Sequence, residues 1–199
     1  MTGQPVPRVL YVIVCGAGTA SAVGGLIELA QSRGWDPYVI ATPAALDFVD
    51  VKDLEARTGH AVRSEYTKPG AGRERSLPHA DAIVVAPATY NTINKWAVGI
   101  SDTFALGILA EAPGLGIPVA VLPFVNAALA ANPSFDSSVA RLRSLGVRVL
   151  LGPGRWEPHP PGTGGSRIGT FPWDVALEQV EELLTSRARD SDRPTPQLG

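Results

Sequence analysis

The run Ala82-Ile83-Val84-Val85-Ala86 stops at Pro87 and passes at once into Ala88-Thr89-Tyr90-Asn91-Thr92-Ile93-Asn94-Lys95. A short apolar run of this kind reads as a strand buried on both faces. The residues after it therefore lie at a strand's carboxyl end, where parallel α/β sheets bind ligands. Ala88 and its small neighbours let a flat molecule approach the backbone, while Thr89, Asn91 and Asn94 offer hydrogen bonds of fixed direction. Bulk and charge are absent where a neutral aromatic ring would need room. The residue types suit a cofactor cleft. Read alone, Asn91 and Asn94 would serve equally as helix caps, because asparagine satisfies the free N–H groups of a helix start.

A second candidate is Cys15-Gly16-Ala17-Gly18-Thr19-Ala20-Ser21, which follows the run Val9 to Val14. Backbone N–H groups in such a turn can cradle a phosphate, although a plain strand-to-helix turn has the same composition. The third glycine of the dinucleotide fingerprint is missing at its usual spacing, and no acidic residue closes the second strand, which argues against NAD. Cys15 ends a buried strand, where a cysteine packs as a small hydrophobe. His60, His79 and His159 lack metal-ligand spacing, so no metal is expected. No glycine-flanked serine elbow is present.

These candidates need elements to hold them. Val9 to Val14, Pro37 to Thr42, Ala82 to Ala86, Val119 to Pro123 and Val147 to Leu150 read as strands, with a possible short one at Ala61 to Arg63. Helical patterns run from about Ala20 to Ser32, closed by Gly34, from Ala44 to Val49, and from Asp53 to Thr58. Others are Thr92 to Val98, Asp102 to Glu111 with Asp102 as its cap, Phe135 to Leu145 closed by Gly146, and Val175 to Ser186. The alternation predicts a three-layer α/β/α Rossmann-like sandwich with a mostly parallel sheet of five or six strands. Residues 8–185 form a single domain, and 186–199, polar and proline-containing, read as a disordered tail. Lys68 to Arg73 reads as a flexible loop and Gly152 to Pro172 as a long structureless excursion. The latter carries Arg155, Trp156, His159, Arg167, Phe171 and Trp173, a mixture suited to a lid over an anionic or aromatic substrate.

A chain of 199 residues accommodates one well-buried domain. The net charge of −2 argues against an electrostatic grip on nucleic acid. No segment has the length of a membrane span, the N-terminus lacks the pattern of a signal peptide, and the one cysteine excludes an intrachain disulfide. A soluble cytoplasmic protein is expected. The charged fraction of 18% is low for a chain this apolar, which points to outer faces covered by other subunits, with Trp96 packing against a neighbour.

Pro87 to Lys95, continuing into Gly99-Ile100-Ser101-Asp102, resembles the signature of the homo-oligomeric flavin-containing cysteine decarboxylases. Phosphopantothenoylcysteine decarboxylase and the peptidyl-cysteine decarboxylases of lantibiotic synthesis belong to that family. The resemblance covers roughly residues 8 to 150, and Thr42 with Phe48 after the second strand and Asn126 after Leu122-Pro123 fall in the same order. It implies a Rossmann-like protomer that forms trimers, often dodecamers, with FMN at a subunit boundary. It implies further that Gly16, Ala17, Gly18, Thr19 and Thr42 lie near the ribityl phosphate and that Phe48, Ala88, Thr89, Asn91 and Asn94 belong to the flavin site. For Asn94 the alternative is a subunit contact. Asn126 would face a small-molecule or peptide thiol and hold its carboxylate.

The departures concern catalysis. Where the family carries a histidine, this chain has Arg73, which cannot act as a base at neutral pH. The family's Met-Asn pair appears as Val125-Asn126, its downstream methionine and tryptophan as Leu129 and Ala130, and Gly164 to Arg167 lacks the flap cysteine of reductive members. Oxidative decarboxylation of a cysteine-type thiol is the activity implied, with Arg73 free to bind an anionic substrate group and His159 the substitute base to test. The alternatives are an FMN-dependent reductase or oxidase, a flavin prenyltransferase-like enzyme, and a non-catalytic flavin-binding regulatory subunit.

Overall fold

The computed structural model of the chain describes residues 7–66, 77–153 and 155–191. Five strands make one sheet: β1 (Arg8–Val14), β2 (Trp35–Ala41), β3 (Ala82–Ala88), β4 (Val119–Pro123) and β5 (Arg148–Val149). Every pairing is parallel, in the order β2-β1-β3-β4-β5. Parallel neighbours need a crossover to return the chain to the same edge, and helices supply it. These are α1 (Gly24–Ser32), α2 (Val51–Thr58), α3 (Tyr90–Ala97), α4 (Phe104–Glu111), α5 (Ala127–Ala130), α6 (Pro133–Ser144) and α7 (Trp173–Ser191).

Side chains alternate across a strand, and β1 shows how this divides the core. Leu10, Val12 and Val14 face a layer with Leu26 and Ile27 of α1 and Leu177 and Val180 of α7. Tyr11 and Ile13 face the opposite layer, with Ile93 and Trp96 of α3, Leu109 of α4, and Phe135 and Leu142 of α6. The three-layer α/β/α sandwich is present, and β3 at its centre is buried along its whole length.

Local chemistry sets the element ends. Asp50 caps α2 by accepting from the Asp53 N–H at 3.1 Å, and Asn132 caps α6 through the Ser134 N–H at 2.9 Å. Gly34, Gly59 and Gly146 end their helices in the left-handed conformation, at φ of 79°, 73° and 83°. Asp102 is not the cap of α4. Thr103 takes that position, accepting from Leu106 N–H at 3.2 Å, while Asp102 is drawn away to Lys95 at 2.5 Å.

Several other boundaries differ from expectation. Gly18–Ala22 and Pro43–Asp47 are 3-10 turns rather than α-helix. Arg63 contributes one parallel bridge, to Ile40. The excursion after β5 carries a 3-10 turn at Gly164–Thr170. Its Trp156 and Phe171 are buried in the α1/α7 layer and meet edge to face, with centroids 5.3 Å apart. The helix α7 continues to Ser191, beyond the expected end at Ser186. Trp96 is only 5% exposed in the single chain and packs in its own core, not against a neighbour. The loop around Arg73 and the last eight residues of the expected tail lie outside the described residues.

Ile83 is fully buried on β3, between β1 and β4. Ile83→Ala is expected to cost about 2–5 kcal/mol, the range for truncating a large aliphatic core side chain. A urea titration should show this as a lower midpoint with an unchanged slope.

Candidate functional site: a cleft at the carboxyl ends of the strands

The strand order reverses direction between β1 and β3, and this divergence of crossovers opens a crevice at the carboxyl ends. A cleft of about 570 Å³ lies there, within the usual size of a small-molecule site. Four of the five strands contribute to it. Gly16 and Ala17 follow β1, Thr42 to Ala44 follow β2, Thr89 to Thr92 follow β3, and Phe124 to Asn126 follow β4.

Backbone hydrogen bonds between the strand ends form its floor. Cys15 N–H donates to the Pro87 carbonyl at 3.1 Å, Thr42 N–H to Val14 at 2.9 Å, and Phe124 N–H to Ala88 at 2.8 Å. The Ala86–Pro87 peptide is cis, and the β3–β4 register shifts between Val85 and Ala88. Gly16 lets the β1 and β2 loops touch: a Cβ there would stand 2.8 Å from the Ala44 carbonyl oxygen. Cys15 lies beneath, fully buried against Thr92 and Thr89. Burial pushes its thiol up, so it stays protonated and unreactive.

On the β3 side, Thr89 caps α3 by accepting from the Thr92 N–H at 3.3 Å, and the two hydroxyls are 3.0 Å apart. Tyr90 stacks on Phe135 at 5.5 Å, and Asn91 stands exposed at the cleft's lip. On the β4 side, the Asn126 Oδ1 accepts from the Leu129 N–H at 2.9 Å. That bond fixes which end of the amide remains free: Nδ2, a donor.

Among the expected flavin-site residues, Gly16, Ala17, Thr42, Thr89 and Asn91 line this cleft, together with Asn126. Gly18, Thr19, Phe48, Ala88 and Asn94 do not. Thr19 is fully buried, and its hydroxyl has no partner among the described residues. Phe48 is 44% exposed after the Pro43–Asp47 turn. Ala88 lies buried one step below Thr89. Asn94 turns to a different cavity, of about 580 Å³, between α3 and α6. Both of its amide atoms are sequestered there with no partner among the described residues. Arg73 lies outside the described residues.

Other lining residues come from elements that sequence reasoning left unplaced. Lys95 and Asp102 tie α3 to the start of α4, which brings Thr103 and Leu106 to the cleft. Leu129 arrives on the short helix α5. His159 arrives because the segment after β5 forms a parallel bridge with Asn126. Nothing in the sequence marks that pairing. No group of histidine, cysteine and acidic side chains among the described residues could hold a metal ion.

A parallel five-stranded sheet with a cleft at its switch point is a Rossmann-like α/β fold that binds at its strand ends. The chain matches the Flavoprotein family over residues 4–164 and belongs to it. It is similar in structure to the FMN-dependent cysteine decarboxylase TvaF of thioviridamide biosynthesis, with a TM-score of 0.67 and 26% identity, over 87% of this chain and 98% of that one. The FMN-dependent cysteine decarboxylase SpaF gives a TM-score of 0.61 and 27% identity, over 88% of this chain and 97% of that one. Among curated relatives, the coenzyme A biosynthesis bifunctional protein CoaBC of Escherichia coli strain K12 is 28% identical over 162 residues, covering 78% of this chain and 37% of its own. The protein of the same name from Mycobacterium bovis is 28% identical over 186 residues, covering 92% and 42%. The chain thus spans about two fifths of the length of these curated relatives. No helix among the described residues is long and apolar enough to cross a membrane.

The contact between Gly16 and Ala44 involves backbone, which cannot swing aside. Gly16→Ala is expected to destabilise the fold by about 1–3 kcal/mol, as overpacking does. Gly25→Ala, in α1 with nothing within 4 Å of its Cβ, is expected to stabilise by about 0.5–1 kcal/mol. Opposite shifts of the urea midpoint check both.

Proposed function

We propose that the protein binds FMN in the cleft between β1 and β3 and carries out oxidative decarboxylation of a cysteine-type thiol. The observation that carries this reading is the lining itself: Thr42, Thr89 and Asn91 as uncharged hydrogen-bonding groups, Ala17 and Ala44 as small walls, and no carboxylate among the described lining residues. A dianionic phosphate and a flat, weakly polar ring both fit such a surface, since no fixed negative charge opposes the phosphate.

Gly16, Ala17 and Thr42 would hold the ribityl phosphate end, where the β1 and β2 loops meet. Thr89 and Asn91 would hold the ring edge, with Thr89 kept in position by its capping bond. When bound, FMN supplies the hydride acceptor that the side chains lack. Asn126 would bind the substrate carboxylate: its Oδ1 is committed to Leu129, so the Nδ2–H groups remain to donate to an anion. Phe124, Val125 and Leu129 would shield that region from water, which strengthens such a contact.

The chain also acts, in this reading, as a homo-oligomer, a trimer or a multiple of one. Val98 and Ile100, 67% and 44% exposed, border the cavity in which the Asn94 amide has no partner among the described residues. A second copy seated there would cover the apolar surface and offer the amide a partner.

Two measurements test these statements. Titration with FMN should give the bands of bound flavin, weakened in Asn91→Asp by the charge placed beside the ring. Carbon dioxide release from a cysteine-ended peptide under anaerobic conditions should accompany bleaching. Bleaching by a reduced nicotinamide alone would mean a reductase, and no FMN uptake would remove the reading altogether. Light scattering should give a mass at least three times the 20.9 kDa of the chain; a clean monomer would defeat the oligomer.

A further inference from the structure

The cleft contains three titratable side chains among its described lining residues: Tyr90, Lys95 and His159. The lysine ammonium has donors only and is held by Asp102 at 2.5 Å. A phenol is a poor base, whereas a neutral imidazole accepts a proton near pH 7. His159 is 7% exposed, and its Nδ1 is sequestered with no partner among the described residues. Such a group is costly to bury unless something supplies its hydrogen bond.

Its position is fixed by the backbone on both sides of Asn126. His159 N–H donates to the Val125 carbonyl at 3.4 Å, and Ala127 N–H donates to the His159 carbonyl at 2.8 Å. The ring packs against Phe124 with centroids 4.7 Å apart. We propose that His159 is the acid–base residue of this cleft, accepting the proton of the substrate thiol while Asn126 beside it binds the carboxylate. The S–H bond breaks, its electron pair stays on sulfur, and the proton passes to the imidazole lone pair, leaving a thiolate and an imidazolium. The inference rests on the thiol-decarboxylase reading above and adds to it the group that does the work of the missing family histidine.

Arg167, in the 3-10 turn that follows this segment, is the charged group that bears on His159, and Lys95, the cation among the described lining residues of the cleft, is paired with Asp102. Burial first, and then the Arg167 charge, pushes the imidazole down, which keeps it neutral and able to accept at pH 7. The same positive charge favours the thiolate that forms. An imidazolium left alone there would be opposed; one paired with a thiolate is not.

The test follows His159 by histidine NMR in the FMN-loaded wild type, with the His159→Gln spectrum assigning its signals. Saturating 3-mercaptopropionate should raise the His159 pKa, and 3-hydroxypropionate should not. An equal response to both, or none to either, overturns the proposal. In turnover of a cysteine-ended peptide, His159→Gln should retain FMN uptake by visible absorption yet lose about 10²–10⁴-fold in rate at neutral pH. That deficit should narrow as pH approaches the ordinary thiol range of about 8.5, where the substrate ionises unaided. A deficit constant across pH would mean a structural role and would also overturn it. Failure of the wild type to take up FMN would instead remove the cofactor reading.

Discussion

Burial of the parallel sheet on both faces is the constraint from which the site follows. A strand covered by helices above and below cannot carry an unpaired polar side chain along its length, because the desolvation cost has nothing to offset it. β3 obeys this: all seven residues from Ala82 to Ala88 are buried and none is charged. Polar chemistry is therefore pushed to the strand ends, and the strand order leaves room for it at the carboxyl end between β1 and β3. The chain places small residues and hydroxyls there, and it joins the loops by backbone bonds rather than by side chains. Gly16 shows how closely this was drawn, since even a methyl group would meet the next loop's carbonyl.

The parts of the molecule legible in the sequence were those set by local pattern. The five strands and the central cleft residues were readable because an apolar run that stops at Pro87, followed by Thr89 and Asn91, carries its meaning within a few residues. Helix ends at Gly34 and Gly146 were marked by the one residue type that enters the left-handed region freely. Asp102 and Thr103 were not separable, because both are good caps. Only the three-dimensional position of Lys95 decides that the aspartate is spent on an ion pair and the threonine on the helix. Trp96 misled for a related reason. Its place in a helix says nothing about which face is inward, and the fold turns it into its own core.

Contacts made across long separations were beyond the sequence. The segment after β5 reads as structureless because glycine and proline break every period in it. Yet Trp156 and Phe171 anchor it into the α1/α7 layer, and the aromatic contacts with Phe124 and Trp173 hold that anchor from two sides. The sequence offered those rings to a lid over substrate. Here Trp156 and Phe171 are buried, and among the described residues of the segment only His159 lines the cleft.

In the proposed reading, the shape of the site and the delivery of its base belong to different parts of the chain. The strand ends and the Thr89 cap are rigid features that any occupant of the cleft would meet. The base, in contrast, needs only to reach the cleft in the right protonation state, from whichever loop can deliver it. A segment pinned by buried aromatics at its ends and by a backbone bridge at Asn126 delivers a side chain with little freedom. Precision of this order is what acid–base chemistry requires, since the accepting nitrogen must come within hydrogen-bond reach of the proton it takes. The imidazole's neutrality then becomes a consequence of the same anchoring. Burial and the Arg167 charge both disfavour the imidazolium.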